Sequence, residues 1–383
     1  MNIPLLDVCR QNLPVETALE AAFRRVLRSG QFILGKEVEE FEQTAAAAAR
    51  ARFAVGASSG TDAILMALMA LGIGPGDEVI CPAFTFFATA GCVARVGARP
   101  VFADSCPACF NIEAGGIERL ITPRTRAIIP VHLFGQPAEL DPILALARRT
   151  GVAVIEDAAQ AFGAEYHGRP VGARGEFGIV SFFPSKNLGA LGDAGLLLTN
   201  DAALAEKARQ LRNHGMHPKY FHAMIGGNFR LDALQAAFLN VKAPHLAEYT
   251  RKRQEHASLY NGAFTRLRGG EAVDIVPPEI HPDRTHISNQ YTLRVRPGKR
   301  WAGAGNPRDA LKRFLQERGV ASEVYYPVPL HRQECFAAFG PYPPLLVAEA
   351  LAAEALSLPV FPELAPEEQA AVIEAVCAFA ALA

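Results

Sequence analysis

Apolar residues in this chain fall into two alternating patterns. The first is a short run of about five, the length of a buried strand: "FAVGA", "EVICP", "RPVFA", "TRAIIPV", "VAVIED", "GIVSFF" and "GLLLT". The second is the helical period, in "DAILMALMAL", "DPILALARRTG" and "DAALAEKARQLRNHG". "DPILALARRTG" should open on its Asp and close on its Gly, and "DAALAEKARQLRNHG" should be capped by Asp201 and ended by Gly215. "VAVIEDAAQAFGA" reads as a strand followed by a helix. Ahead of them, "SGQFILGKEVEEFEQTAAAAAR" places a Gly30–Gly35 turn before a Glu- and Ala-rich helix. Strands alternating with helices predict an α/β domain whose mostly parallel sheet is covered on both faces. Near Ala243–Pro244 the pattern changes to Arg- and Glu-rich helical sequence, a strand at "QYTLRVR", a helix at "PRDALKRFLQERG" and a helical C-terminus. We therefore expect a large α/β domain over 1–244 and a small α+β domain over 245–383.

Composition narrows the function. With 383 residues, 50% apolar and 20% charged, the chain can build a large core. A formal net charge of −1 gives no basic footprint for nucleic acid and no polybasic membrane patch. No apolar run reaches membrane-spanning length, and "MNIPLLDVCR" does not read as a signal peptide. A cytoplasmic setting is expected. Seven cysteines do not suggest a disulfide framework, and no metal site is expected. Cys106 and Cys109 form a lone CxxC in the loop "DSCPACFNI", with no second ligand pair, and read as incidental.

Four stretches carry candidate chemistry. In "SSGTDAILMALMAL" small residues precede a helix, so Gly60, Thr61 and Asp62 sit where free N–H groups and the helix dipole attract phosphate. "VAVIED" ends in Glu156 and Asp157, at the strand end where α/β sheets bind ligands. A carboxylate there can keep a ring nitrogen protonated. In "SFFPSKNLGALGDAG", Ser181 ends a strand and Lys186 lies on a turn among Phe182, Phe183 and Leu188. Such surroundings would desolvate the amine and make it nucleophilic. In "PAFTFFATA" an aromatic side chain could stack on a flat ring. Taken singly, each stretch has an ordinary structural explanation; their order on successive α/β units suits a phosphorylated, nitrogen-containing ring.

These stretches resemble the DegT/DnrJ/EryC1/StrS family of nucleotide-sugar aminotransferases, within the fold type I pyridoxal-phosphate enzymes. "FILGKEVEEFE", "GDEVICPAFTFFAT", "IIPVHLFGQPAELDPI", "LRNHG", "GGNFRLDALQAAFL" and "YYPVPLHRQ" extend the resemblance from about residue 7 to 335. It implies a mostly parallel sheet of the seven-stranded type and pyridoxal 5'-phosphate as cofactor. Lys186 should join the cofactor aldehyde and Asp157 should pair with the ring nitrogen. Gln160 should lie beside the ring and Phe86 should stack on it. Gly60, Thr61, the Asp62 N–H and Ser181 should hold the phosphate. Asn228 should reach the phosphate of a neighbouring subunit, which implies a homodimer with shared sites. Lys219, Arg230, Tyr326 and His331 are candidate contacts to the sugar nucleotide. The implied reaction moves an amino group from L-glutamate to a nucleotide-linked keto sugar, with a 3-oxo sugar favoured over a 4-oxo sugar. Family dehydratases carry histidine in place of the lysine, so Lys186 argues for amino transfer. The rival readings are a sugar dehydratase and a cofactor-binding regulator without turnover.

Overall fold

The computed structural model describes residues 2–303 and 305–382. Helices α1 (Val8–Asn12), α2 (Glu16–Ser29) and α3 (Lys36–Ala48) lead into strand β1 (Phe53–Ala57). α2 ends at Gly30, whose φ of +67° a side chain would resist. Helix α4 (Gly60–Ala70), β2 (Glu78–Pro82), α5 (Ala88–Arg95), β3 (Arg99–Ala103) and β4 (Thr125–Ile128) follow. Then come α6 (Leu140–Thr150), β5 (Ala153–Asp157), a small hairpin of β6 (Glu165–Tyr166) and β7 (Arg169–Pro170), β8 (Phe177–Ser181), β9 (Gly195–Thr199) and α7 (Ala202–Leu211). The seven apolar runs read from the sequence are the seven strands of one sheet, in the order β1-β9-β8-β5-β4-β2-β3. β9 runs antiparallel to both neighbours, and the pairs from β8 through β5, β4 and β2 to β3 are parallel.

Strands buried on both faces need apolar residues at every position, and α4 shows why the sheet can be so apolar. Eight of its eleven residues are buried, because it packs against α5, α7 and the sheet together. Beyond α8 (Ala233–Lys242) and the long α9 (Leu246–Phe264), β10 (Val273–Val276), β11 (Tyr291–Pro297) and β12 (Ala355–Leu358) make a three-stranded antiparallel sheet. α10 (Pro307–Glu317), α11 (Leu346–Glu354) and α12 (Pro366–Leu382) accompany it. Its core centres on Tyr260, Phe264, Leu293, Leu356 and Phe361. No helix among the described residues is long and apolar enough to cross a membrane.

Three local expectations change. No helix follows β5: the Ala158 N–H is taken by Ile179 of β8, and successive three-residue turns run to Gly163, whose φ of +92° stops any helix. α6 begins one residue before Asp141, which sits in its first turn and pairs with Arg174, while Gly151 does close it. α7 is capped by Asp201 as expected but ends at Leu211, ahead of Gly215.

β9 passes the start of α4 so closely that a Cβ on Gly195 would lie 2.2 Å from the Ser59 carbonyl carbon. Gly195→Ala should lower the thermal midpoint, by the equivalent of about 1–3 kcal/mol for overpacking. Gly262→Ala, in α9 with open space around it, should leave the midpoint unchanged or raise it. Equal shifts for both variants would contradict the close approach.

Candidate active site

The carboxyl ends of β5 and β8, the start of α4 and the loop before α5 converge on one cleft. β5 delivers two adjacent carboxylates, and strand alternation sends them to opposite sides. Glu156, fully buried, accepts from the N–H groups of Gly172, Arg174 and Gly175 and pairs with His132 at 3.2 Å. Those donors hold its carboxyl below the usual range despite burial. It fastens the 172–175 turn and is spent on structure. Asp157, 4% exposed, accepts from Thr89 Oγ1 at 2.9 Å and the Ala159 N–H at 3.2 Å.

Asp157 differs from its neighbour in one respect that matters. Burial raises its pKa more than its two hydrogen-bond donors and the charge of Lys186 lower it. A buried carboxylate in that condition has room for a cationic donor. Lys186 is the complement: burial lowers its amine to about 8, with Asp157 opposing the shift. The turn that carries it is tight. The Lys186 N–H bonds the Phe183 carbonyl, and a Cβ on Gly189 would come within 2.3 Å of the Pro184 carbonyl oxygen. Phe182 and Leu188 are buried as expected, but Phe183 is 52% exposed. The surfaces around the amine come instead from Gln160, Phe162, Asn187, Ile287 and Asn289, with Ser181.

The end of the cleft expected to seat a phosphate is built from α4 and β8. Gly60 opens α4, and a Cβ there would lie 2.8 Å from the Ser181 Cβ, so helix start and strand end touch. The N–H groups of Gly60 and Thr61 have no acceptor within the helix. The Asp62 N–H is already bonded to Ser59 Oγ at 3.0 Å, so a phosphate must share or displace that cap. The Asp62 carboxylate accepts from Ser58 Oγ. Gln160 is fixed between the Phe134 N–H at 2.7 Å and the Tyr326 hydroxyl at 2.9 Å. Phe86 is 55% exposed, with its ring 6.2 Å from that of Tyr326.

Carboxylate, amine, N–H cradle and amide thus line one cleft, and their chemistry fits a phosphorylated pyridine aldehyde. Residues 15–377 match the DegT/DnrJ/EryC1/StrS aminotransferase family. The chain belongs to that family. It is 49% identical over 99% of both chains to the "Pleiotropic regulatory protein" of Geobacillus stearothermophilus. It is 45% identical to the UDP-N-acetyl-3-dehydro-alpha-D-glucosamine 3-aminotransferase of Acidithiobacillus ferrooxidans, over 96% of this chain and 95% of the other. The crystal structure of S. venezuelae DesV in complex with a ketimine intermediate superposes with a TM-score of 0.93 at 40% identity, covering 99% of this chain and 98% of DesV. The chain is a pyridoxal-phosphate-dependent aminotransferase of fold type I.

As a family member it also shows which expected contacts the single chain gathers. Tyr326 joins the cleft through Gln160, from 166 residues away. Arg230 is half-buried and donates to Asn213 at 2.7 Å. Asn228 is exposed and its backbone bridges Asn213. Lys219 lies in an exposed loop over the Tyr220 ring. His331 departs from expectation: its side chain is enclosed, bonds Glu349 at 3.0 Å and packs near Phe102. Its Nε2 is taken by Glu349, while Nδ1 has no partner among the described residues. Thr89 and Phe134 were not anticipated; a threonine at the second position of α5 gives no local sign that it meets Asp157.

The lowered Lys186 pKa predicts a pH profile. The amine loses its proton as pH rises through about 8. Covalent uptake of pyridoxal phosphate by cofactor-free protein should therefore accelerate through about pH 8 and level off above it. A rise centred beyond pH 10 would mean a solvated lysine. Thr89→Val, which leaves Asp157 one donor short, should cost about 1–2 kcal/mol of transition-state stabilisation, roughly 5- to 30-fold in kcat/KM.

Proposed function

We propose that this aminotransferase transfers an amino group from L-glutamate to the keto group of a nucleotide-linked sugar, with a 3-oxo sugar as acceptor. The observation that carries the reading is the buried Lys186–Asp157 arrangement beside an N–H cradle. The name of the Acidithiobacillus relative, which specifies a 3-dehydro sugar, supports the position of the keto group.

When bound, the cofactor supplies an electron sink for the carbanion formed at the amino-bearing carbon. The protein's residues do the rest. Lys186 Nζ holds the cofactor between turnovers. Once displaced by the incoming amine, it takes the proton from the α-carbon of L-glutamate and delivers it across the cleft. Its lowered pKa suits it to both steps near neutral pH. Asp157 holds the proton on the ring nitrogen, with Thr89 keeping the carboxylate in place. Gly60, Thr61, the Asp62 N–H and Ser181 hold the phosphate. Gln160, locked by Phe134 and Tyr326, lies beside the ring, and Phe86 covers its face. Asn228, on an exposed stretch, completes the phosphate site of a second copy, making the unit a homodimer. Arg230 and Lys219 serve the sugar nucleotide.

The name of the Geobacillus relative raises the regulatory alternative. A regulator needs no amine of lowered pKa opposite a carboxylate, whereas turnover needs both. L-Glutamate added to the holoenzyme should convert its visible absorption to that of the pyridoxamine form. A nucleotide-linked 3-oxo sugar should restore it, releasing amino sugar. Restoration by 4-oxo sugars alone would overturn the proposed position, and no change with any amino acid would favour the regulator. Asp157→Asn should lower the rate of the first half-reaction by about 10²-fold or more, the scale for losing a charge that acts in the transition state.

A further inference from the structure

The Cys106–Cys109 pair is less incidental than its sequence suggests. The loop leaves β3 as a closed hairpin: Ser105 bridges Ile112, the Cys106 N–H bonds the Asn111 carbonyl at 2.7 Å, and the Phe110 N–H bonds the Cys106 carbonyl at 3.0 Å. This closure folds Cys106 and Cys109, three residues apart, into one tight turn. The neighbouring thiol pulls Cys106 down, and the same neighbour together with burial pushes Cys109 up. Cys106 is partly accessible and Cys109 is buried. Among the described residues no further Cys, His, Asp or Glu joins them in a cluster able to hold a metal ion. The pair therefore has the asymmetry of a redox dithiol: one accessible attacking sulfur and one shielded resolving sulfur.

The loop is also wired to the cofactor site. Phe110, between Cys109 and Asn111, stacks on Phe84 at 6.3 Å and meets Phe134 edge-on at 5.3 Å. The Asn111 carboxamide accepts from the Leu133 N–H and donates to the Gln136 and Pro137 carbonyls. Phe134 in turn fixes Gln160. On its other side the loop is clasped by Arg294 of β11, bonded to the Pro107 carbonyl at 2.8 Å, and by the Glu279 N–H on the Ala108 carbonyl. We propose that Cys106 and Cys109 are a reversible disulfide-forming pair that adjusts the Phe134–Gln160 wall of the cofactor site.

A low-molecular-weight disulfide such as glutathione disulfide is the oxidant. Cys106 thiolate attacks one of its sulfurs, forming a mixed disulfide and releasing one glutathione thiolate. Cys109 gives up its proton, and its sulfur attacks that of Cys106. The Cys106–Cys109 bond forms and a second glutathione thiolate leaves. Two cysteine thiols lose two electrons, and one disulfide becomes two thiols.

The test uses the holoenzyme equilibrated across glutathione redox ratios, acid-quenched, alkylated and digested with trypsin. The peptide Val96–Arg119 contains only these two cysteines. Oxidation should leave it unalkylated and two hydrogens lighter than the free dithiol, reversibly, while Cys81 and Cys92, both buried, stay reduced. Cys109→Ser should accumulate glutathione on Cys106, whereas Cys106→Ser should leave Cys109 a free thiol. The visible circular dichroism of the bound cofactor should change with oxidation in the wild type and not in either variant. Independent glutathionylation of both cysteines, or no loss of hydrogens at any ratio, would overturn the dithiol. A disulfide without a dichroism change would overturn its connection to the site.

Discussion

A carboxylate and an amine buried in the same cleft constrain everything around them. Each is disfavoured in its charged form by burial, and each partly relieves the other: Asp157 is raised, Lys186 is lowered to about 8, and their attraction opposes both shifts. Neither has a full set of permanent partners. Asp157 keeps two donors and Lys186 has no carboxylate bonded to it. Such an arrangement costs stability; Glu156, one residue away, shows the alternative, a buried carboxylate accepting from three backbone N–H groups. Sites that retain strained electrostatics of this kind are where chemistry is done.

The fold exists, in effect, to hold that pair. Strands β5 and β8 run side by side, so their carboxyl ends present Asp157 and Ser181 to one cleft. The glycines that let backbones touch lie where the cleft closes. Gly60 meets Ser181, Gly195 meets Ser59, and Gly189 folds the Lys186 turn against Pro184. A side chain at any of the three would push apart the start of α4, the end of β8 and the turn that carries the amine. Packing and function therefore share residues here, and a substitution can be read as structural or chemical only with both measured.

Much of this was legible in the sequence, for identifiable reasons. Strands covered on both faces must be apolar throughout, so all seven announced themselves. The Gly60 helix start and the Lys186 turn were visible as small-residue clusters at the ends of apolar runs. What stayed hidden depends on contacts between distant segments. Alternation along β5 says that Glu156 and Asp157 face opposite ways, but only the 172–175 turn and Thr89 decide which faces the cleft. The helix expected after β5 gives way because Ile179 of β8 captures the Ala158 N–H. His331 looked available and is enclosed by Glu349 and Phe102; Tyr326 reaches Gln160 across 166 residues.

Lys186, and no other lysine, should hold the cofactor. Borohydride reduction of the holoenzyme, followed by peptide mapping, tests this most directly. The phosphopyridoxyl group should be recovered on Lys186 alone, and Lys186→Ala protein should yield no reduced adduct while still binding the cofactor reversibly. Recovery of the group on a different lysine, or an undiminished adduct in the Lys186→Ala protein, would contradict the account.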